Sequence, residues 1–344
     1  MKTHFNRYGV LAALFFTLTG WIGANVQAEV RIGLSSTADL ENSGIYVWVS
    51  AFADELEQAG IATTIYPSST LGNEIVRTEQ ILLGLLEVNV TGTQEIEVYS
   101  ELITALDLPF LFRSNEESDA LFHHTDYLEE INSSTRPIGM RVIDLGSLGG
   151  MTGLFTAREP IRTVADVKEF RMRAMSTEQL EWIEAWGGAG TQVAWEEVPQ
   201  ALQTGIADGY MNPPIVAVLF GHGGQLDYFT DLEMSPSIRV VVFSETWYQG
   251  LTAEHRDAVD HAAIVAGAAN RKWAVDAIKH EFQLLADVGI EVIHPDSEER
   301  EAFRERVLPT YDDMVSVETL EKTWRYLDEA RKYLEQQGKN SGKR

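Results

Sequence analysis

The sequence predicts an α/β fold of two similar lobes, each built on parallel sheet. Two observations carry this expectation. Strand–helix–strand order with short links recurs in both halves of the chain, and a long alanine-rich helix outgrows what one small lobe needs. In the first half, Val30-Arg31-Ile32-Gly33-Leu34 reads as a strand and Gly44 to Gln58 as an amphipathic helix. Ile61 to Tyr66 is a second strand closed by Pro67, Asn73 to Leu83 a helix stopped by Gly84, and Leu86 to Val90 a third strand. In the second half Glu169 to Met175 is a strand, Thr177 to Trp186 a helix and Gln192 to Trp195 a strand. Val198 to Thr204 is a helix ended by Gly205, and Ala207 to Met211 a further strand. The joints echo one another: Ile81-x-x-Gly84-x-x-Glu87 and Leu202-x-x-Gly205-x-x-Asp208. From Thr252 to Val288 one helix is expected, on the order of 50 Å long at 1.5 Å per residue and so able to bridge both lobes. A last strand follows at Ile290 to Ile293, then acidic helices, and a polar tail over 338–344 expected to be disordered.

The N-terminus reads as a secretory signal. Lys2 and Arg7 form a basic segment, Val10 to Val26 an apolar one, and Val26-Gln27-Ala28 places small residues at a cleavage site. The alternative, an uncleaved anchor, fits less well because Thr17, Thr19 and Gly20 interrupt the apolar stretch. Residues 1–28 are therefore assigned to a signal peptide cleaved after Ala28. The chain has 344 residues and no cysteine, which excludes thiol catalysis and thiolate-bound metals and leaves stability to a large core. A formal net charge of −25 repels phosphate and argues against a nucleic-acid partner.

The usual catalytic patterns are missing: there is no Gly-x-Ser-x-Gly, no His-Glu-x-x-His and no phosphate-binding Gly-x-x-x-x-Gly-Lys. Glu196-Glu197 are neighbours rather than a facing acid–base pair, and capping of the next helix is the expected role. His123, His124 and His222 lack further ligands at metal spacing and read as surface or loop residues. One segment stands out. In Phe170-Arg171-Met172-Arg173-Ala174-Met175, alternation places the arginines opposite the apolar side chains, and Ser176 with Gln179 opens a helix at once. A guanidinium beside a helix N-terminus suits a carboxylate. It equally suits a surface ion pair.

These residues also carry a resemblance. Pro160-Ile161-Arg162-Thr163-Val164-Ala165-Asp166-Val167-Lys168-Glu169-Phe170-Arg171-Met172-Arg173 resembles the PI-x-T-x-x-D-L-K-G-x-K-x-R segment of the periplasmic solute-binding proteins of TRAP transporters, the DctP-like family. The run from Trp195 through Glu197-Val198, Ala201-Leu202-Gln203-Thr204-Gly205 and Asp208-Gly209 to Asn212-Pro213 is similar to that family's W/F-x-E-V-x-x-A-L-Q-T-G-x-x-D-G-x-E-N-P. Tyr66-Pro67-Ser68-Ser69-Thr70-Leu71-Gly72-Asn73-Glu74 and Leu106-Asp107-Leu108-Pro109-Phe110-Leu111-Phe112 match two further family blocks, in family order.

The resemblance implies a two-lobed periplasmic binding protein fold joined by hinge strands and the long helix. Lobe I is assigned to 29–149 plus 238–277, and lobe II with the C-terminal helices to 150–237 plus 278–337. The chain is expected to cross near Gly150, near Ser237 and near Ala277. Arg173 corresponds to the arginine that pairs with the ligand carboxylate, Asn212 to an asparagine at the same end, and Trp195 to the pocket aromatic. Glu74, Ser35, Gly92, Thr93 and Ser237 fall at cleft positions, and Tyr210, Met211 and Val216 complete the expected wall. Arg239 is either a second cation or a hinge ion pair. The departures narrow the ligand. The additional arginine of sialic-acid binders is absent around Met151-Thr152-Gly153, Val216 and Ser237 replace two aromatics of ectoine binders, and Met211 replaces a cation-associated Glu. The implied function is capture of a small organic acid, a monocarboxylate by the single strong cation, for delivery to the TRAP membrane subunits. No cofactor, metal or catalysis is implied, and a monomer is expected. A ligand-presenting protein for a membrane sensor is the alternative, with a secreted enzyme behind it.

Overall fold

The computed structural model describes residues 29–341, so the expected signal peptide and the last three residues lie outside the described residues. Eleven strands form two sheets. They are β1 (Val30–Gly33), β2 (Thr63–Tyr66), β3 (Val88–Thr91), β4 (Met140–Met151), β5 (Gly153–Thr156), β6 (Arg171–Ala174), β7 (Ala189–Gln192), β8 (Gly209–Asn212), β9 (Tyr228–Thr230), β10 (Pro236–Ser244) and β11 (Glu291–Ile293). The first sheet has the order β2-β1-β3-β10-β4 and the second β11-β9-β5-β8-β6-β7.

Each sheet keeps the expected parallel nucleus and adds antiparallel strands to it. β1 pairs parallel with β2 and β3, but β10 is antiparallel to β3 and β4. In the second sheet β6 is parallel to β7 and β8, while β5 runs antiparallel to β8 and β9. The antiparallel members are the strands on which the chain changes lobe. It passes to the second sheet between β4 and β5 and returns between β9 and β10. β4 and β10 pair along most of their length, with register shifts between Pro236 and Ile238 and between Val241 and Val242 that bend the ribbon.

Caps explain the helix starts. Ser43, Asn73, Ser176 and Thr252 each accept a backbone N–H of the first turn of Gly44–Gln58, Glu74–Leu82, Thr177–Ala185 and Ala253–Ile278. The long helix is shorter than expected. It ends at Ile278, and a separate helix, Glu281–Asp287, follows after Lys279-His280. The first packs on Gly44–Gln58 and β4, the second on the helix Pro214–Leu219 and β11, so the break is where the chain changes lobe. Asn270 fixes the first helix to the hinge: Oδ1 accepts from Ser147 N at 2.7 Å and Nδ2 donates to Gly44 O at 2.8 Å. Glu281 fixes the second, accepting from Gly150 N at 2.9 Å.

Three boundaries differ from the sequence reading. β7 covers 189–192 rather than 192–195, because Gly187 at φ +90° turns the chain early and 189–192 pair in register with β6. Trp195 therefore opens a 3-10 turn, Trp195–Glu197. The last helix, Val317–Ser341, continues through Gly338, where a disordered tail is expected. It packs on the helices Glu101–Asp107 and Asn115–His124 of the first lobe, burying Tyr326, Leu327 and Ala330 there, not on the second lobe as the division at 278–337 expects.

Candidate functional site

The strands of both sheets end at a cleft between the lobes, floored by β4 and β10. Arg173, at the end of β6, is 3% exposed. Its Nε donates to Val193 O at 2.9 Å, and its guanidinium lies 5.6 Å from the Trp195 ring centre. Among the described residues its two Nη groups have no hydrogen-bond partner. Burial first, and Arg239 second, push its pKa down to about 10. Asn212 ends β8 on the same cleft, and its Nδ2 is buried without a partner. The two unmet donors line adjoining parts of the cleft, which have Trp195 and Glu74 in common.

The first lobe contributes a carboxylate network. Glu74, in the first turn of its helix, is 6% exposed. Oε1 accepts from Ser35 Oγ at 3.0 Å, Oε2 from Gly92 N at 3.2 Å, and Oε2 lies 3.5 Å from Arg239 Nη1. Burial pushes this carboxyl up, but Arg239, Arg77, Gly92 N and Ser35 together hold it below the ordinary value. Arg239 on β10 lines the cleft and is ion-paired with Glu74, the ion-pair alternative of the two. A Cβ on Gly92 would stand 2.6 Å from Arg239 Nη1, so a larger residue here would push the guanidinium from its present place. Ser237 and Met211 line the deeper part of the cleft with Gln179 and Asp107.

Four expected placements change. Tyr210 is fully buried, with its hydroxyl 3.1 Å from His222 Nδ1, and supports Trp195 edge-on from behind rather than lining the wall. It sits two residues before the end of β8, about 7 Å deeper than Asn212. His222 is correspondingly a buried residue, its pKa lowered by burial. Thr93 is buried beneath the cleft and spends its hydroxyl on Asp107. The pair Glu196-Glu197 caps nothing, since Pro199 lacks one of the N–H groups a cap would meet. Instead Glu196 Oε1 accepts from Ser69 Oγ at 2.9 Å, joining the two lobes.

The sequence reading missed several cleft residues. Arg77 is fully buried three residues after Glu74, donating to Asn89 Oδ1 at 2.8 Å and to Ser35 Oγ at 2.9 Å. Their shared helix face was the available signal. Glu95, Asp107, Gln94 and Phe220 carry none, because only the fold brings Glu95 to Arg173, Phe220 to Trp195, and Gln94 and Asp107 to Arg239. Asp107 accepts from Thr93 and Gln94 and is pushed up to about 6 by burial. Among the described residues no group of three acidic or histidine side chains is placed to hold a metal ion, and no helix is long and apolar enough to cross a membrane.

Two α/β lobes closing on a cleft across a hinge ribbon, with an unmet cation and amide donor inside, define a two-lobed solute-binding protein. Residues 36–318 match the family described as DctP, bacterial extracellular solute-binding protein, family 7. The chain belongs to this family. The sialic acid-binding periplasmic protein SiaP of Vibrio cholerae is 23% identical over 306 residues, covering 87% of this chain and 92% of that protein. The C4-dicarboxylate-binding periplasmic protein DctP of Rhodobacter capsulatus is 24% identical over 282 residues, covering 76% and 79%. Among solved structures, a TRAP solute-binding protein of Anaerococcus prevotii with bound D-glucuronate superposes with a TM-score of 0.80 at 23% identity, covering 89% of this chain and 98% of that one. One from Shewanella oneidensis with bound succinate gives 0.79 at 21% identity, covering 87% and 99%.

Proposed function

We propose that this protein captures a small organic monocarboxylate between its lobes and hands it to TRAP membrane subunits, without chemical change to the ligand. One observation carries the reading: the buried Arg173 guanidinium, free at both Nη groups, shares the cleft with the unpartnered Nδ2 of Asn212. A carboxylate accepts paired N–H bonds from such a fork and meets a charge that burial otherwise disfavours. Trp195 offers its ring to the ligand body, and Met211 and Ser237 close the far side. The preference for one carboxylate rests on Arg239. Its charge is already shared with Glu74, so a second ligand carboxylate would be buried with no free cation and with acids beside it. Relatives bound to uronates and to succinate show that the fold accepts both charge types. The assigned roles of Ser35, Glu74 and Gly92 are to hold Arg239 in place. Export with cleavage after Ala28 and a monomeric state complete the reading.

Calorimetry with a matched monocarboxylate and dicarboxylate series tests it. Butyrate and the sugar monocarboxylates are expected to bind in preference to succinate and malate. Tighter binding of succinate than of every monocarboxylate tried refutes the single-charge reading.

A further inference from the structure

Glu95 closes the 3-10 turn Thr93–Glu95 that follows β3, half-buried, on the same cavity as Arg173, Trp195 and Glu196. It differs from the other acids of the cleft. Glu74 accepts from Ser35 and Gly92, Asp107 from Thr93 and Gln94, and Glu196 from Ser69. Among the described residues the Glu95 carboxyl accepts from no donor and is paired with no cation. A partly desolvated carboxyl with open acceptor sites is costly unless something donates to it. Arg173 and Arg239 are near enough to lower its pKa, yet neither bonds it, and burial with Glu74 keeps it raised.

We infer that Glu95 is a specificity-determining residue that accepts a hydrogen bond from a hydroxyl on the ligand body, so that the ligand class is a hydroxylated monocarboxylate. This rests on the reading of Arg173 as the carboxylate site, since both residues line the one cavity. A hydroxyl fits better than an ammonium. An ammonium reaching Glu95 would stand in the field of Arg173 and Arg239, whereas a neutral hydroxyl escapes that repulsion. A hydroxyl also serves either protonation state of Glu95, because it donates to a carboxylate and accepts from an acid. An acid with an unsubstituted alkyl body would leave Glu95 buried and unmet, the asymmetry that makes polar sites reject analogues lacking the polar group.

The test is a cycle between one residue and one ligand feature, read by calorimetry on the exported full-length protein. The probes are D-gluconate, D-glucuronate, hexanoate and norleucine, against the unsubstituted protein, Glu95→Ala, Glu95→Gln and Arg173→Ala. At least one sugar acid is expected to bind more than tenfold tighter than hexanoate and norleucine. Glu95→Ala should weaken that sugar acid roughly ten- to a hundredfold, the range for a hydrogen bond to a charged group, and change hexanoate less than threefold. Glu95→Gln, which keeps an acceptor oxygen, should recover part of the loss and guards against misfolding. Equal loss for hexanoate and the sugar acid would make Glu95 a counter-charge for Arg173 and overturn the inference. Sugar acids no tighter than hexanoate, or norleucine the tightest probe, overturn it as well. These results leave the carboxylate reading standing as long as Arg173→Ala still weakens every probe that binds. Indifference to Arg173→Ala instead sinks that reading itself.

Discussion

Replacing Arg173 should separate binding from stability in opposite directions. In the cleft this guanidinium is 3% exposed, keeps one hydrogen bond to Val193 O and stands in the field of Arg239. Its pKa falls from 12.5 to about 10, which corresponds to ~3 kcal/mol by which the unliganded cleft disfavours the charge. Arg173→Met removes that cost and keeps most of the buried apolar stem, while giving up the Val193 hydrogen bond, worth about 1 kcal/mol. The net gain of ~2 kcal/mol should raise the Tm of the ligand-free protein by a few degrees. Ligand binding should collapse. Truncating one partner of a buried charge pair costs about 2–5 kcal/mol, roughly thirtyfold to several thousandfold in Kd. Arg173→Lys should recover only part, because the ammonium has neither the fork nor the Nε contact. The assays are calorimetry with the best monocarboxylate and differential scanning calorimetry without ligand. Unchanged affinity refutes the carboxylate role. A lower ligand-free Tm in Arg173→Met refutes the argument that the cation is held at a cost.

Trp195→Ala should weaken binding by about 1–3 kcal/mol, and Trp195 emission should shift on saturation; a signal indifferent to ligand would make the ring only a cap on Tyr210 and Phe220. Gly92→Ala puts a Cβ 2.6 Å from Arg239 Nη1 and 3.2 Å from Glu74 Oε2, so affinity should drop at least tenfold with the fold retained; unaltered affinity would show that the Glu74–Arg239 contact does not set the site. A pH effect should arise where the lobes meet at Glu97, which is hydrogen-bonded to Glu178 and Ser176 of the second lobe and faces Asp107. Burial first, then Asp107 and Glu178, push Glu97 from 4.5 up to about 10. A carboxyl raised in the folded state holds its proton more tightly there, so its stabilisation is full below pH 4.5 and is lost as pH rises towards 10. Asp107, raised to about 6, and Glu281, raised to about 7, act with the same sign in a lower window. Glu97→Gln should therefore flatten the fall in Tm across the whole window from pH 4.5 to 10, leaving below pH 7 only the part due to Asp107 and Glu281; an unchanged slope above pH 7 would remove Glu97 from the account.

What was legible in the sequence was local. The helix Gly44–Gln58 could be read to the residue because its apolar face has the helical period and Gly60 follows its end. β4 and β10 were not foreseen as paired strands, although they form the hinge, since nothing within either segment encodes a partner about a hundred residues away. With them went the mixed character of both sheets. The same division runs through the site. Arg173 was legible because a strand end and a capping Ser176 meet within three residues, which is a local arrangement. Arg77 was not, because an arginine three residues after Glu74 on a helix looks like an exposed ion pair until the sheet buries it against Asn89. Glu95 lies further still from legibility, since its significance is that nothing in its own lobe donates to it. Family motifs locate Arg173 and Asn212, whereas Glu95 sits where loops from both lobes converge. The approaches across the hinge come in pairs: Arg173 and Glu95 line one cavity, Glu196 accepts from Ser69, and Glu97 is hydrogen-bonded to Glu178. A ligand that satisfies Arg173 alone leaves Glu95 unmet, and one that also satisfies Glu95 joins both lobes through its own body.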